Sequence, residues 1–126
     1  MKLFSVEEAN ELLPKAGHIV RSIRRAYARV GSMREAARSA AEGAKEGGGG
    51  GMAEGPRYVA TLHALAERVA ELEALGIQLK DYERGLIDFP HLRDGRVVLL
   101  CWQLGEGERL EWWHETDTGF AGRQPL

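Results

Sequence analysis

Asp94-Gly95-Arg96-Val97-Val98-Leu99-Leu100-Cys101-Trp102-Gln103-Leu104-Gly105-Glu106-Gly107-Glu108-Arg109-Leu110-Glu111-Trp112-Trp113-His114-Glu115 is the stretch that decides the fold. Asp94-Gly95 is a strong signal for a tight hairpin turn. Arg96 to Leu104 is rich in β-branched and aromatic residues, Gly105 to Glu108 reads as a second turn, and Arg109 to Glu115 as a further strand. With Leu104 opposite Arg109, Cys101 faces Trp112, Leu99 faces His114, Leu100 faces Trp113 and Val98 faces Glu115. Alternate residues take opposite faces of a sheet, so Cys101 and His114 share one face as diagonal neighbours, while Trp113 and Glu115 take the other. Just upstream, Leu86-Ile87-Asp88-Phe89 is a short apolar run that Pro90 stops. The expectation is two or three antiparallel strands, followed by an irregular tail from Asp117 to Leu126.

N-terminal to this block the apolar period changes from two to between three and four. Ser5-Val6-Glu7-Glu8 reads as a capping box, with the Ser5 side chain accepting from the Glu8 amide and the Glu8 carboxylate reaching back. Phe4 precedes the cap. Pro14 should kink the helix or begin a second one. From there Ala16, Val20, Ile23, Tyr27 and Val30 form one apolar face, and Arg21, Arg25 and Arg29 a separate polar row with Arg24 beside it. A glycine-rich break covers residues 43–55. Pro56 suits the first turn of a second helix, whose stripe is Tyr58, Leu62, Leu65, Val69 and Leu72. Gly76 is one stopping point for it, but continuation to Arg84 through Leu75, Leu79 and Tyr82 matches the first helix in length, about 43 Å each at 1.5 Å per residue.

The predicted architecture is therefore α+β: a long antiparallel helical hairpin packed with a small two- to three-stranded antiparallel β-sheet. It forms a single domain over 1–126, with a kinked long helix at 1–42, a Gly-rich linker at 43–55, a second helix at 56–84 and a β-hairpin block with tail at 85–126. Of the 126 residues, 44% are apolar and 29% charged, as in ordinary globular proteins. The net charge of −2 divides into +1 over residues 1–76 and −3 over 77–126. Neither half has the basic excess of a strong nucleic-acid binder, so nucleic acid is not an expected partner. One cysteine excludes an internal disulfide, and no segment approaches the roughly 18 apolar residues that span a bilayer. A cytoplasmic location without membrane contact is expected. A two-helix hairpin and a small sheet bury little alone, which points to a homodimer.

Candidate chemistry gathers in the C-terminal block. His114, Glu115, Asp88, His91 and Asp117, with Cys101 as an additional donor, are the types that bind zinc and other divalent transition metals, although no spacing among them is diagnostic. Cys101 and His114 also allow a nucleophilic dyad, but no sequence feature supplies a lowered thiol pKa or an oxyanion site. The plain alternative is a small buried thiol beside a packed histidine. Trp102, Trp112 and Trp113 all lie in the one hairpin, as core or as a stacking surface. Arg123, Arg96, Trp102 and Trp113 are the candidate ligand-contacting residues. Glu7 and Glu11 lie four apart on a helix but lack the Glu-x-x-His partner of a bundle metal site. The arginine row reads as a solvated face.

Several strings are similar to one known family. They are Phe4-Ser5-Val6-Glu7-Glu8-Ala9-Asn10-Glu11-Leu12-Leu13-Pro14, Leu79-Lys80-Asp81, Gly85-Leu86-Ile87-Asp88-Phe89-Pro90, Leu100-Cys101-Trp102, Gly105-Glu106, Trp113-His114-Glu115 and Gly119-Phe120-Ala121-Gly122-Arg123-Gln124-Pro125-Leu126. Together they resemble the bacterial family called domain of unknown function 2203, over nearly the whole chain. The resemblance implies a small bacterial protein without an assigned activity, so it carries over no catalytic residue. It does draw attention to Asp88, His114, Glu115 and Arg123, polar residues that packing alone does not demand. Two functional expectations follow. The first is a small binding or structural module acting as a homo-oligomer. The alternative is a metal-dependent protein, such as a hydrolase, with its site in the C-terminal β block around His114.

Overall fold

The computed structural model describes residues 1–45 and 55–126, which form an α+β fold of two helices and five strands. Helix α1 runs from Val6 to Lys45. Its start is the capping box read from the sequence: the Ser5 amide donates to Glu8 Oε1 at 2.9 Å and the Glu8 amide to Ser5 Oγ at 3.0 Å. No second helix begins at Pro14, which lies inside the continuous α1. The expected linker at 43–55 is shortened at both ends. Residues 43–45 are helical, Gly55 opens the next helix, and the rest of that stretch lies outside the described residues.

Helix α2 spans Gly55–Ala74, not 56–84. Gly76, at φ 89°, ends it: its amide donates to Glu73 O at 2.9 Å, and the Ile77 amide donates back to Leu72 O at 3.4 Å. This is a Schellman motif, completed by the apolar pair Leu72 and Ile77, both buried. The helix does not extend to match α1 in length, because the capping geometry at Gly76 satisfies its last carbonyls locally. Arg34 Nε donates to the Tyr58 hydroxyl at 2.8 Å, so the start of α2 meets the far half of α1, while Leu72 joins the core at the near half. The helices are therefore antiparallel.

The strands are β1 (Gln78–Asp81), β2 (Leu86–Arg93), β3 (Arg96–Gln103), β4 (Trp112–His114) and β5 (Gln124–Pro125). They form one antiparallel sheet in sequence order. The expectation of two or three strands is corrected to five. β1 lies where the sequence continues the apolar stripe of the second helix, and β5 is only two residues long. Nor does Pro90 stop β2. In an antiparallel strand a residue's N–H and C=O point to the same side, and the Pro90 carbonyl accepts from the Phe4 amide at 2.7 Å. The missing N–H therefore points away from β3, on the side where β1 has already ended at its pairing with Asp88.

One sheet face, with Ile87, Phe89, Val98, Leu100, Trp102 and Trp113, packs on Ala9, Leu13, Ala16, Ile19, Val20 and Ile23 of α1. Phe4 meets Phe89 edge-on, with ring centroids 5.4 Å apart. The other face turns away from the helices, yet Asp88, Leu99, Cys101 and His114 on it are also buried. That second buried face positions the candidate site.

Candidate metal centre

The pairing of β3 with β4 follows the register expected from the hairpin: Leu99 opposite His114, Leu100 opposite Trp113 and Cys101 opposite Trp112. On its other side β3 pairs with β2, which sets Asp88 directly opposite Cys101. Residues opposite each other share a face, as do residues two apart on one strand. Asp88, Cys101 and His114 thus come from three adjacent strands and meet on the face away from α1. One donor atom from each, within 4.8 Å of the others, could surround a metal ion.

The hydrogen bonds define the state of the imidazole. His114 Nδ1 lies 2.7 Å from the carbonyl oxygen of Glu115. A carbonyl only accepts, so Nδ1 carries a hydrogen. Nε2 is 3.1 Å from both carboxylate oxygens of Asp88. A bare Nε2 lone pair facing a carboxylate would be repulsive, so a proton or a metal cation must lie between them. Burial raises the Asp88 pKa above the ordinary carboxylate value, against the opposing pull of His114 and of the neighbouring Cys101. Burial also pushes the Cys101 thiol up to about 12, reinforced by the negative charge of Asp88.

Arg123 lies over this cluster. Its guanidinium is near enough to Cys101 for its charge to favour the thiolate, and it pairs with Glu106 at 2.8 Å. It also stands 4.9 Å from the Trp112 ring centroid and 4.1 Å from that of Phe120. Arg84 covers Phe120 at 4.2 Å, so the short 3-10 turn Phe120–Gly122 is held between two arginines. The tail expected to be irregular thus supplies a cover for the site, anchored by β5 against β4.

The remaining candidates lie elsewhere. The Glu115 carboxylate binds Arg96 at 2.7 Å, and that hydrogen bond holds its pKa below the usual value. Glu115 thus serves the centre through its carbonyl and not its carboxylate, and Arg96 is occupied by that ion pair. His91 Nδ1 bonds the Phe4 carbonyl at 2.6 Å, and its ring belongs to the helix-facing side of β2. Asp117 is exposed, with no side-chain partner among the described residues. Trp102 and Trp113 are core residues: the Trp102 indole donates to Gly107 O at 2.9 Å, and Arg93 stacks 4.4 Å from the Trp113 ring. Glu7 and Glu11 are exposed. The structure therefore brings Asp88, His114, Cys101 and Arg123 together and leaves the Glu115 carboxylate, His91, Asp117, Arg96, Trp102 and Trp113 outside the cluster. Glu106, which orients Arg123, was missed, because its sequence context reads only as a turn.

The model of DUF2203, described as an uncharacterised conserved protein, matches residues 2–126. The chain belongs to the DUF2203 family. No curated protein and no solved structure matches it. The DUF2203 match brings no assigned activity, so the chemistry of the centre rests on its own geometry. Among the described residues of this DUF2203 chain, no helix is long and apolar enough to cross a membrane.

Proposed function

We propose that this DUF2203 protein binds a divalent transition metal of the zinc class through Asp88, Cys101 and His114. The observation that carries the reading is the two-sided arrangement of His114. A metal-ligating histidine characteristically donates its distal N–H to a carbonyl or carboxylate, which fixes the tautomer that leaves the other nitrogen free for the metal. Here Nδ1 meets the Glu115 carbonyl and Nε2 faces the Asp88 carboxylate, with the Cys101 sulfur alongside. Imidazole and thiol suit zinc and its neighbours over magnesium or calcium. Charge balance supports the reading: one carboxylate, one thiolate and one divalent ion sum to zero in a buried site, which limits the desolvation cost.

A nucleophilic Cys101 is disfavoured. Its thiol is pushed up to about 12 by burial and by the negative charge of Asp88 beside it. Three protein ligands leave a fourth position for water or an exogenous group, as a hydrolase would require. Burial of all three side chains favours holding the metal over turning over a substrate. A reduced thiol ligand fits a cytoplasmic location.

The test is elemental analysis of untagged protein, followed by thermal unfolding with added zinc, nickel or manganese. One equivalent of zinc or nickel, or a rise in Tm with either, is expected. No bound metal and no shift with any of the three contradicts the proposal.

Homodimerisation is a second proposal, supported by the outer end of the hairpin. Past Val30, α1 has no buried residue in its described part, α2 buries only Thr61 and Leu72, and Val59 is 63% exposed. Sedimentation showing only monomer at high concentration contradicts it.

A further inference from the structure

On the helix side of the sheet, away from the Asp88–Cys101–His114 cluster, α1 and the loop after β3 enclose two adjoining grooves. One, of about 450 Å³, is lined by Arg21, Arg24 and Arg25 against Leu104 and Gly105. The other, of about 580 Å³, is lined by Arg21, Arg109 and Glu108. Arg21 belongs to both. Apolar surface from Leu13, Pro14 and Trp102 completes the second groove.

These arginines differ from others in the chain. Arg38, Arg68, Arg96 and Arg123 each pair with a glutamate. Arg21, Arg24, Arg25 and Arg109 are exposed and have no ion pair or side-chain hydrogen bond among the described residues. Arg21, Arg24 and Arg25 stand at helix positions i, i+3 and i+4, where like charges are close enough to repel. Three uncompensated guanidinium groups on one face, with a fourth opposite, create a local positive potential that the net charge of −2 conceals.

We propose that this groove binds a small organic ligand carrying two or more phosphoryl groups. The planar fork of arginine matches phosphate oxygens in bidentate fashion, and several such forks around one groove fit a diphosphate or triphosphate better than a single carboxylate. The apolar surface beside Arg21 accommodates the ligand's organic body. Both volumes lie within the range of small-molecule sites. A nucleic-acid strand fits less well. The chain carries a net charge of −2 and lacks the basic excess that tracks a continuing phosphate backbone. The assignment does not depend on the metal centre.

Calorimetric titration of the full chain in magnesium-free, low-salt buffer tests it, with inorganic phosphate, pyrophosphate, ATP and a single-stranded oligonucleotide as probes. The expected order of affinity is ATP, then pyrophosphate, then phosphate. Arg21→Ala should weaken ATP binding about tenfold, equivalent to about 1.4 kcal/mol. Arg29→Ala, on the same helix but outside the groove lining, should leave it unchanged. All substituted positions are exposed, and circular dichroism verifies the fold of each variant. Absence of binding by both ATP and pyrophosphate, equal weakening by the two substitutions, or oligonucleotide binding that ATP cannot displace overturns the proposal.

Discussion

His114 Nε2 lies 3.1 Å from each oxygen of Asp88, and both side chains are almost wholly buried. The imidazole thus meets the carboxylate symmetrically, in a place where neither group is compensated by water. Such a pair is stable only with a positive centre between its members. A proton and a divalent ion are the two candidates, and they exclude one another at Nε2.

Metal binding should therefore expel protons. One leaves the His114–Asp88 pair and one leaves the Cys101 thiol, so zinc uptake should release about two protons. Calorimetry in buffers of different ionisation enthalpy at neutral pH measures this. Release near zero would mean that the zinc binds elsewhere.

Breaking the pair in metal-free protein should cost more than removing it. His114→Gln leaves Asp88 buried without its partner, and such losses are on the order of 3 kcal/mol. The His114→Gln/Asp88→Asn double substitution should lose less than the sum of the single losses. Urea unfolding of all four proteins gives the coupling, and additive losses would show that the two side chains do not interact.

Cys101 should be inert in the native state. Its pKa of about 12 and full burial leave little thiolate at pH 8. Disulfide exchange with an aromatic disulfide reagent should be negligible until denaturant is added, then reach one equivalent per chain. Rapid native reaction would indicate an exposed, activated thiol.

Two glycine substitutions should act in opposite directions. At Gly76, φ is 89° and a Cβ would come 2.9 Å from the Lys2 Cβ. Gly76→Ala should lower stability by about 1–2 kcal/mol, the cost of a left-handed conformation for a residue with a side chain. Gly31 lies within α1 with open space around it, so Gly31→Ala should raise stability by about 0.5–1 kcal/mol. Chemical denaturation checks both signs.

The capping box predicts a pH dependence. The hydrogen bond from the Ser5 amide, with the Ser5 side chain beside it, lowers the Glu8 pKa from its ordinary 4.5. A depressed folded-state pKa contributes stability above the unfolded value, and that contribution is lost as pH falls through the folded value. The stability gap between the native chain and Glu8→Gln should therefore be present at neutral pH and close below about pH 4.5. A gap independent of pH would contradict this origin.

What was legible in the sequence had strong local causes. The Ser5–Glu8 cap and the hairpin register were readable because complementary side chains or turn residues sit a few positions apart. The convergence of Cys101 and His114 on one face followed from that register. Three features were not legible. The end of α2 at Gly76 depends on a backbone conformation that competed with an apolar stripe continuing through Leu79. Strand β2 continues through Pro90 because the lost N–H points away from β3, on the side where β1 no longer pairs, which is a tertiary fact. The position of Arg123 over the cluster depends on the return of the tail as β5, a segment too short to carry a periodic signal. His91 was a reasonable donor by type, yet lies on the opposite face, where Phe4 engages it.

Cobalt(II) titration of metal-free protein, followed by absorption, tests the metal centre most directly. The account predicts an intense near-ultraviolet thiolate-to-cobalt band that saturates at one equivalent, is bleached by zinc and is absent from Cys101→Ala. A weak spectrum without that band, or one unchanged in Cys101→Ala, would contradict it.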